Sequence, residues 1–151
     1  MEIQIDIKGI SCHGSAPERG DSAAYKAARA ALAVEKLNTQ LLPDDDHFLG
    51  KGTITVSQID VHGPSQCAVP DQAMLYCDRR LTWGETDKSA IAQVEDALKE
   101  AGVNDFTVYM PEYRKPAWTG TEYHQELYFP TWKIPENHIL VRSGVEAYTA
   151  L

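Results

Sequence analysis

Apolar and polar residues alternate from the second position: Ile3, Ile5 and Ile7 stand against Gln4, Asp6 and Lys8. That two-residue period predicts a strand over 2–8. The period then lengthens. From about 22 to 40 the chain is alanine-rich, and Ala24, Ala28 and Leu32, with Ala27, Ala31 and Val34 nearby, recur at helical spacing. Asp21 is the expected N-cap. Small residues on that stripe suit a helix lying close to a sheet, or close to a second subunit. A second strand is expected over 53–61. Its Ile54 and Val56 are out of phase with Ile59 and Val61, a slip that one extra residue near Ser57 and Gln58 explains as a β-bulge. A third strand, about 72–81, sets Leu75, Cys77 and Leu81 on one face and Met74, Tyr76, Asp78 and Arg80 on the other. Thr86 or Asp87 caps a second helix over 87–101, with Ile91, Val94 and Leu98 as its stripe and Gly102 as the stop. Phe106, Val108 and Met110 alternate as a fourth strand.

Strand, helix, strand, strand, helix, strand is the order of an α+β, ferredoxin-like βαββαβ sandwich. Four antiparallel strands form the sheet and both helices cover one face. We assign this unit to residues 1–111. In that topology the second strand lies at an edge, open to pairing with a partner. Over 112–151 the pattern fails. Prolines 116, 130 and 135 and aromatics Tyr113, Trp118, Tyr123, Tyr128, Phe129 and Trp132 predict an irregular tail anchored through its rings. A helix is expected to begin near Ser143.

Length and composition narrow the class. The 151 residues suffice for one modest core, and the 43% hydrophobic and 24% charged fractions are ordinary for a globular domain. A net charge of −8 argues against nucleic acid and against an anionic membrane surface, both of which need clustered cations. No apolar run approaches the ~20 residues that span a bilayer. The alternating start lacks the basic and apolar leader of a secreted protein. Cys12, Cys67 and Cys77 are odd in number with no close pair, which points to reduced thiols and the cytoplasm. The five histidines lack the spacing that offers two metal ligands from one face. The acids Asp44, Asp45 and Asp46 beside His47 read as a solvated loop. Gly50-Lys51-Gly52-Thr53 lacks the upstream glycine and the following helix of a phosphate loop.

The candidate chemistry lies in Gly9-Ile-Ser-Cys-His13-Gly-Ser-Ala-Pro-Glu-Arg-Gly-Asp21. One histidine stands in a loop with glycines at 9, 14 and 20 and a proline at 17, where a turn can display it outward. The stretch Gly9-x-x-x-His13-Gly-Ser-x-Pro17, then Gly20-Asp21-x-Ala23 opening a helix, resembles the lid or dimerisation domain of the zinc-dependent peptidases and deacylases. Acetylornithine deacetylase, succinyl-diaminopimelate desuccinylase and glutamate carboxypeptidase are members. Ala68-Val69-Pro70 and the strand ending Asp78-Arg79-Arg80 fit the same domain in the same order. Arg80-Leu-Thr-Trp-Gly-Glu-Thr86 and Tyr128-Phe-Pro-Thr-Trp-Lys133 are similar to the selenium-metabolism-linked hydrolases of that family.

The resemblance implies a lid that contributes substrate-binding and oxyanion groups while the metal ligands, for two zinc ions, belong to a catalytic domain flanking it on both sides. No cofactor is expected in this chain, and the segment alone is expected to be inactive. His13 matches the lid histidine that helps bind the substrate carbonyl, within its own subunit or across a dimer. Arg80 matches the lid arginine that holds a substrate carboxylate, although a strand-end ion pair with Asp78 or Glu85 explains it equally well. Cys67 stands where many members carry an asparagine, and a thiol cannot replace an amide's hydrogen bonding. A homodimer through the first helix and the edge second strand is expected. Two other readings compete. One is a free-standing ferredoxin-like module that binds a small molecule or regulates. The other is a small hydrolase using Ser15 or Cys12 with His13, against which stands the rarity of near neighbours facing each other and the lack of a third, orienting group.

Overall fold

The computed structural model describes residues 1–43 and 48–150. The run Asp44 to His47 therefore lies outside the described residues. Six elements build the main unit: β1 (Glu2–Lys8), α1 (Ala23–Gln40), β2 (Thr53–His62), β3 (Gln72–Arg80), α2 (Asp87–Glu100) and β4 (Phe106–Tyr109). All three pairings in their sheet are antiparallel and the strand order is β2-β3-β1-β4. This is the expected ferredoxin-like arrangement, with β2 at an edge. Ile3, Ile5 and Ile7 are buried, each contributing on the order of 1.5–3 kcal/mol. They meet Ala27, Ala30 and Val34 of α1 and Val94 and Leu98 of α2 in one core.

The bulge falls where the phase slip put it. Val56 pairs with Cys77 and Gln58 with Tyr76, leaving Ser57 as the surplus residue. Its effect is to return Ile59 and Val61 to the face of Leu75 and Ala73. Thr86 caps α2 in a capping box with Ser89, its Oγ1 accepting from Ser89 N at 3.1 Å. Gly102, at φ 69°, ends the helix in a Schellman turn: Val103 N donates to Leu98 O and Gly102 N to Lys99 O, both at 3.0 Å.

Four expectations need correction. The N-cap of α1 is Ser22, whose hydroxyl accepts from Tyr25 N, and not Asp21, whose carboxylate is held by Lys26 instead. The buried stripe of α1 is Ala23, Ala27, Ala30, Val34 and Leu37. Two alanine-rich stripes run along this helix, and the one through Ala28 and Leu32 faces away from the core. The stretch after Pro111 is less irregular than its prolines suggest. It forms a small antiparallel pair, β5 (Glu112–Tyr113) with β6 (Gln125–Glu126), and a helix, α3 (Ile139–Thr149), capped by His138 and starting four residues before Ser143. Its aromatics are not anchors as a group. Tyr128 packs against the core, whereas Trp118 is 98% exposed and Tyr123 and Trp132 are largely exposed.

Candidate functional site

The loop between β1 and α1 is a built structure. Ile10 and Asp21 exchange backbone hydrogen bonds at its neck, at 2.8 and 2.9 Å. Gly9 N reaches Asp71 O at 2.8 Å. Farther out the loop pairs with residues more than fifty positions away: Val69 N donates to Cys12 O at 2.8 Å and Gly14 N to Cys67 O at 2.7 Å, flanking a His13–Ala68 bridge. A 3-10 turn over Pro17–Arg19 closes it. Glycine is needed at the contact points, because a Cβ on Gly14 would lie 2.7 Å from Cys67 O and one on Gly20 2.6 Å from Ile10 O.

His13 is exposed at the tip. Its Nδ1 accepts the Ser15 backbone N–H at 3.1 Å and lies 2.7 Å from Ser15 Oγ. A backbone N–H can only donate, so Nδ1 must accept, and the neutral ring carries its proton on Nε2. The loop thus presents an N–H donor. The contact with Ser15 shows that near neighbours do face each other here, contrary to the expectation. It is nevertheless a local turn, and among the described residues no carboxylate pairs with His13 to orient it as a base.

Cys67 is exposed beside this loop, joined to it through its carbonyl. Arg80 is elsewhere. Lys8 pairs with Gln72 at the end of the sheet from which the His13 loop departs, whereas Arg80 pairs with Thr53 at the opposite end. Eight residue steps along β3 separate the two ends by roughly 26 Å. One copy of the chain therefore does not bring His13 and Arg80 to one small substrate. Arg80 is exposed and its Nη2 lies 2.8 Å from Asp78 Oδ2. Glu85 is taken by Arg79 instead, at 2.5 Å.

Two buried cations were not singled out from the sequence. Arg79 is fully buried, donating also to Gln93 Oε1 at 2.9 Å and Arg80 O at 2.8 Å. Lys26 is 1% exposed, with its Nζ 2.5 Å from Asp21 Oδ2, 2.9 Å from Lys8 O and 3.1 Å from Asp105 Oδ2. Burial pulls the Lys26 ammonium down, yet the two carboxylates prevail and hold its pKa above the ordinary lysine value. A signal existed for both: Arg79 is in phase with Ala73, Leu75 and Cys77, and Lys26 with Ala23 and Ala30.

Among the described residues no group of three or more His, Cys, Asp or Glu side chains converges as a metal site. Those described residues form no ligand set of the kind a zinc centre needs. Nor is any helix among them long and apolar enough to cross a membrane.

The sheet order, the two covering helices and the histidine loop define a ferredoxin-like α+β domain. The model of the peptidase dimerisation domain of the M20 family matches residues 1–105, and the chain belongs to that family of self-associating domains. Protein YgeY of Escherichia coli (strain K12) is 48% identical over all 151 residues, which make up 37% of its length. The chain thus spans little more than a third of the curated relatives it matches. Among solved structures, a tripeptidase from Staphylococcus aureus aligns with 99% of this chain and 34% of its own, at 21% identity and a TM-score of 0.66. An aminopeptidase from Bacillus cereus aligns with 99% of this chain and 34% of its own, at 19% identity and a TM-score of 0.62. An aminobenzoyl-glutamate utilization protein from Klebsiella pneumoniae covers 71% of this chain and 26% of its own, at 21% identity and a TM-score of 0.55.

Proposed function

We propose that this chain is the lid and dimerisation segment of a cytoplasmic, metal-dependent amide-bond hydrolase, a peptidase or N-deacylase. It supplies substrate groups and not the metal site, and alone it is inactive. The two zinc ions that the resemblance implies belong to a catalytic domain outside this chain. The observation that carries the reading is the His13 ring, fixed by Ser15 N–H as an exposed Nε2–H donor. Such a donor stabilises a substrate carbonyl oxygen as it gains negative charge, and losing one donor of this kind costs about 10²–10³ in kcat. Arg80 offers a guanidinium fork to a substrate carboxylate. Its exposed pair with Asp78 is worth about 0–1 kcal/mol, so a bound carboxylate can compete for it.

The separation of the two groups supports a dimer that shares its sites. β2 is an edge strand, and Ile59 (46% exposed), Val61 (41%), Tyr25 (72%) and Leu32 (66%) lie along it and along the outward stripe of α1. These apolar groups, with the open strand edge, suit a two-fold contact through α1 and β2. Antiparallel pairing of two β2 strands sets the His62 end of one copy beside the Thr53 end of the other. His13 of one protomer then shares an end of the joined sheet with Arg80 of its partner. A free-standing module would leave Trp118 and the apolar side of α3 uncovered.

The test is to mix His13→Ala and Arg80→Ala versions of the full-length enzyme under conditions that exchange subunits. Each alone is expected to lose turnover with dimerisation and metal content intact. In the mixed dimer one site keeps both residues, so turnover returns. Unchanged turnover in His13→Ala, or no recovery on mixing, refutes respectively the oxyanion role or the shared site.

A further inference from the structure

We propose that Lys26 is a positioning residue that clamps both stems of the His13 loop, an inference that rests on the reading of His13 as the displayed donor. The loop leaves the sheet at Lys8 and re-enters helical structure after Asp21. A single ammonium holds both points: Lys26 Nζ donates to the Lys8 carbonyl at 2.9 Å and pairs with the Asp21 carboxylate at 2.5 Å. Its third partner, Asp105 at 3.1 Å, has a left-handed backbone (φ 53°) and precedes β4. Lys8 N in turn donates to Asp105 O at 2.8 Å, so the entry stem is tied to the same turn twice.

The chemistry explains why a lysine stands in an otherwise apolar helix face. An ammonium has three donors and no acceptor, and here it meets three oxygens from three segments. The ammonium is buried while its Asp21 and Asp105 partners keep solvent contact, and an apolar side chain in its place would leave the Lys8 carbonyl without this donor. The neck above it is held by the Ile10–Asp21 pair of backbone bonds. Asp21 takes part in both layers, through its carboxylate below and its backbone at the neck. The position of the loop tip, and of the His13 ring, follows from stems that cannot separate.

The experiment uses the full-length protein and no substrate, so it stands or fails independently of whether His13 acts in catalysis. Lys26→Met keeps the apolar stem and removes the ammonium. Hydrogen exchange would follow the Ile10, Gly14 and Val69 amides, and long-range nitrogen–proton NMR the His13 ring. The loop amides are expected to lose protection by roughly tenfold or more while the central-strand amides keep theirs. The His13 ring is expected to move from a fixed Nε2–H tautomer toward an average of both. If Lys26→Met does not fold, Asp21→Asn loosens one arm and gives a smaller change of the same kind. The proposal is overturned if loop amides and ring are unchanged in the variant that folds. It is overturned equally if loop and central-strand amides lose protection together, since Lys26 would then serve the core as a whole.

Discussion

Three thiols of one type meet three environments. Cys77 is fully buried on the core face of β3, and burial pushes its thiol up to about 12. Cys12 Sγ donates to Ala16 O at 3.2 Å inside the histidine loop. Cys67 is exposed at the loop's rim. Since the thiolate is the reactive form, burial disfavours Cys77, and exposure favours Cys67 over Cys12. Brief alkylation of the native chain with iodoacetamide near neutral pH, mapped by peptide mass, is expected to label Cys67 first. Cys77 should react only as fast as the domain opens. Early labelling of Cys77 would contradict its place in the core. The sequence showed Cys67 as a departure from a pattern, but its nearness to His13 arises from pairing across more than fifty residues, which no local signal carries.

Among elements, the end of β3 turns on two adjacent arginines with opposite fates. Arg79 faces the core and joins Thr53 O, Glu85 and Gln93, linking β2, β3 and α2. Arg80 faces solvent. Arg79→Met leaves the largely buried Glu85 carboxylate with the Thr82 N–H but without its cation and should cost about 3–5 kcal/mol. Arg80→Ala should cost under about 1 kcal/mol. Urea unfolding of the two variants checks the contrast, and equal losses would show that the buried pair is not special. The strands, both helices, the bulge at Ser57 and the stop at Gly102 were legible because each rests on period or local turn chemistry. The buried side of α1 was not, since an alanine helix offers two similar stripes and only packing selects between them. Nor was much of the tail, where proline content hid β5, β6 and the start of α3, or the inward arginine, whose charge outweighed its phase.

At the scale of the molecule, the sheet sets a fixed length between the His13 loop and Arg80. His13 departs beyond the Lys8–Gln72 end and Arg80 lies by Thr53 at the other. On the proposed reading each protomer carries two half-sites and completes neither. Assembly then enters the rate law. Diluted below its dimer dissociation constant, the full-length enzyme should lose activity per protomer as monomers accumulate, by mass action, and regain it on concentration. A specific activity that stays constant through that dilution would place a whole site in each subunit. On that reading the span of β3 makes the amount of protein in solution a control on its chemistry.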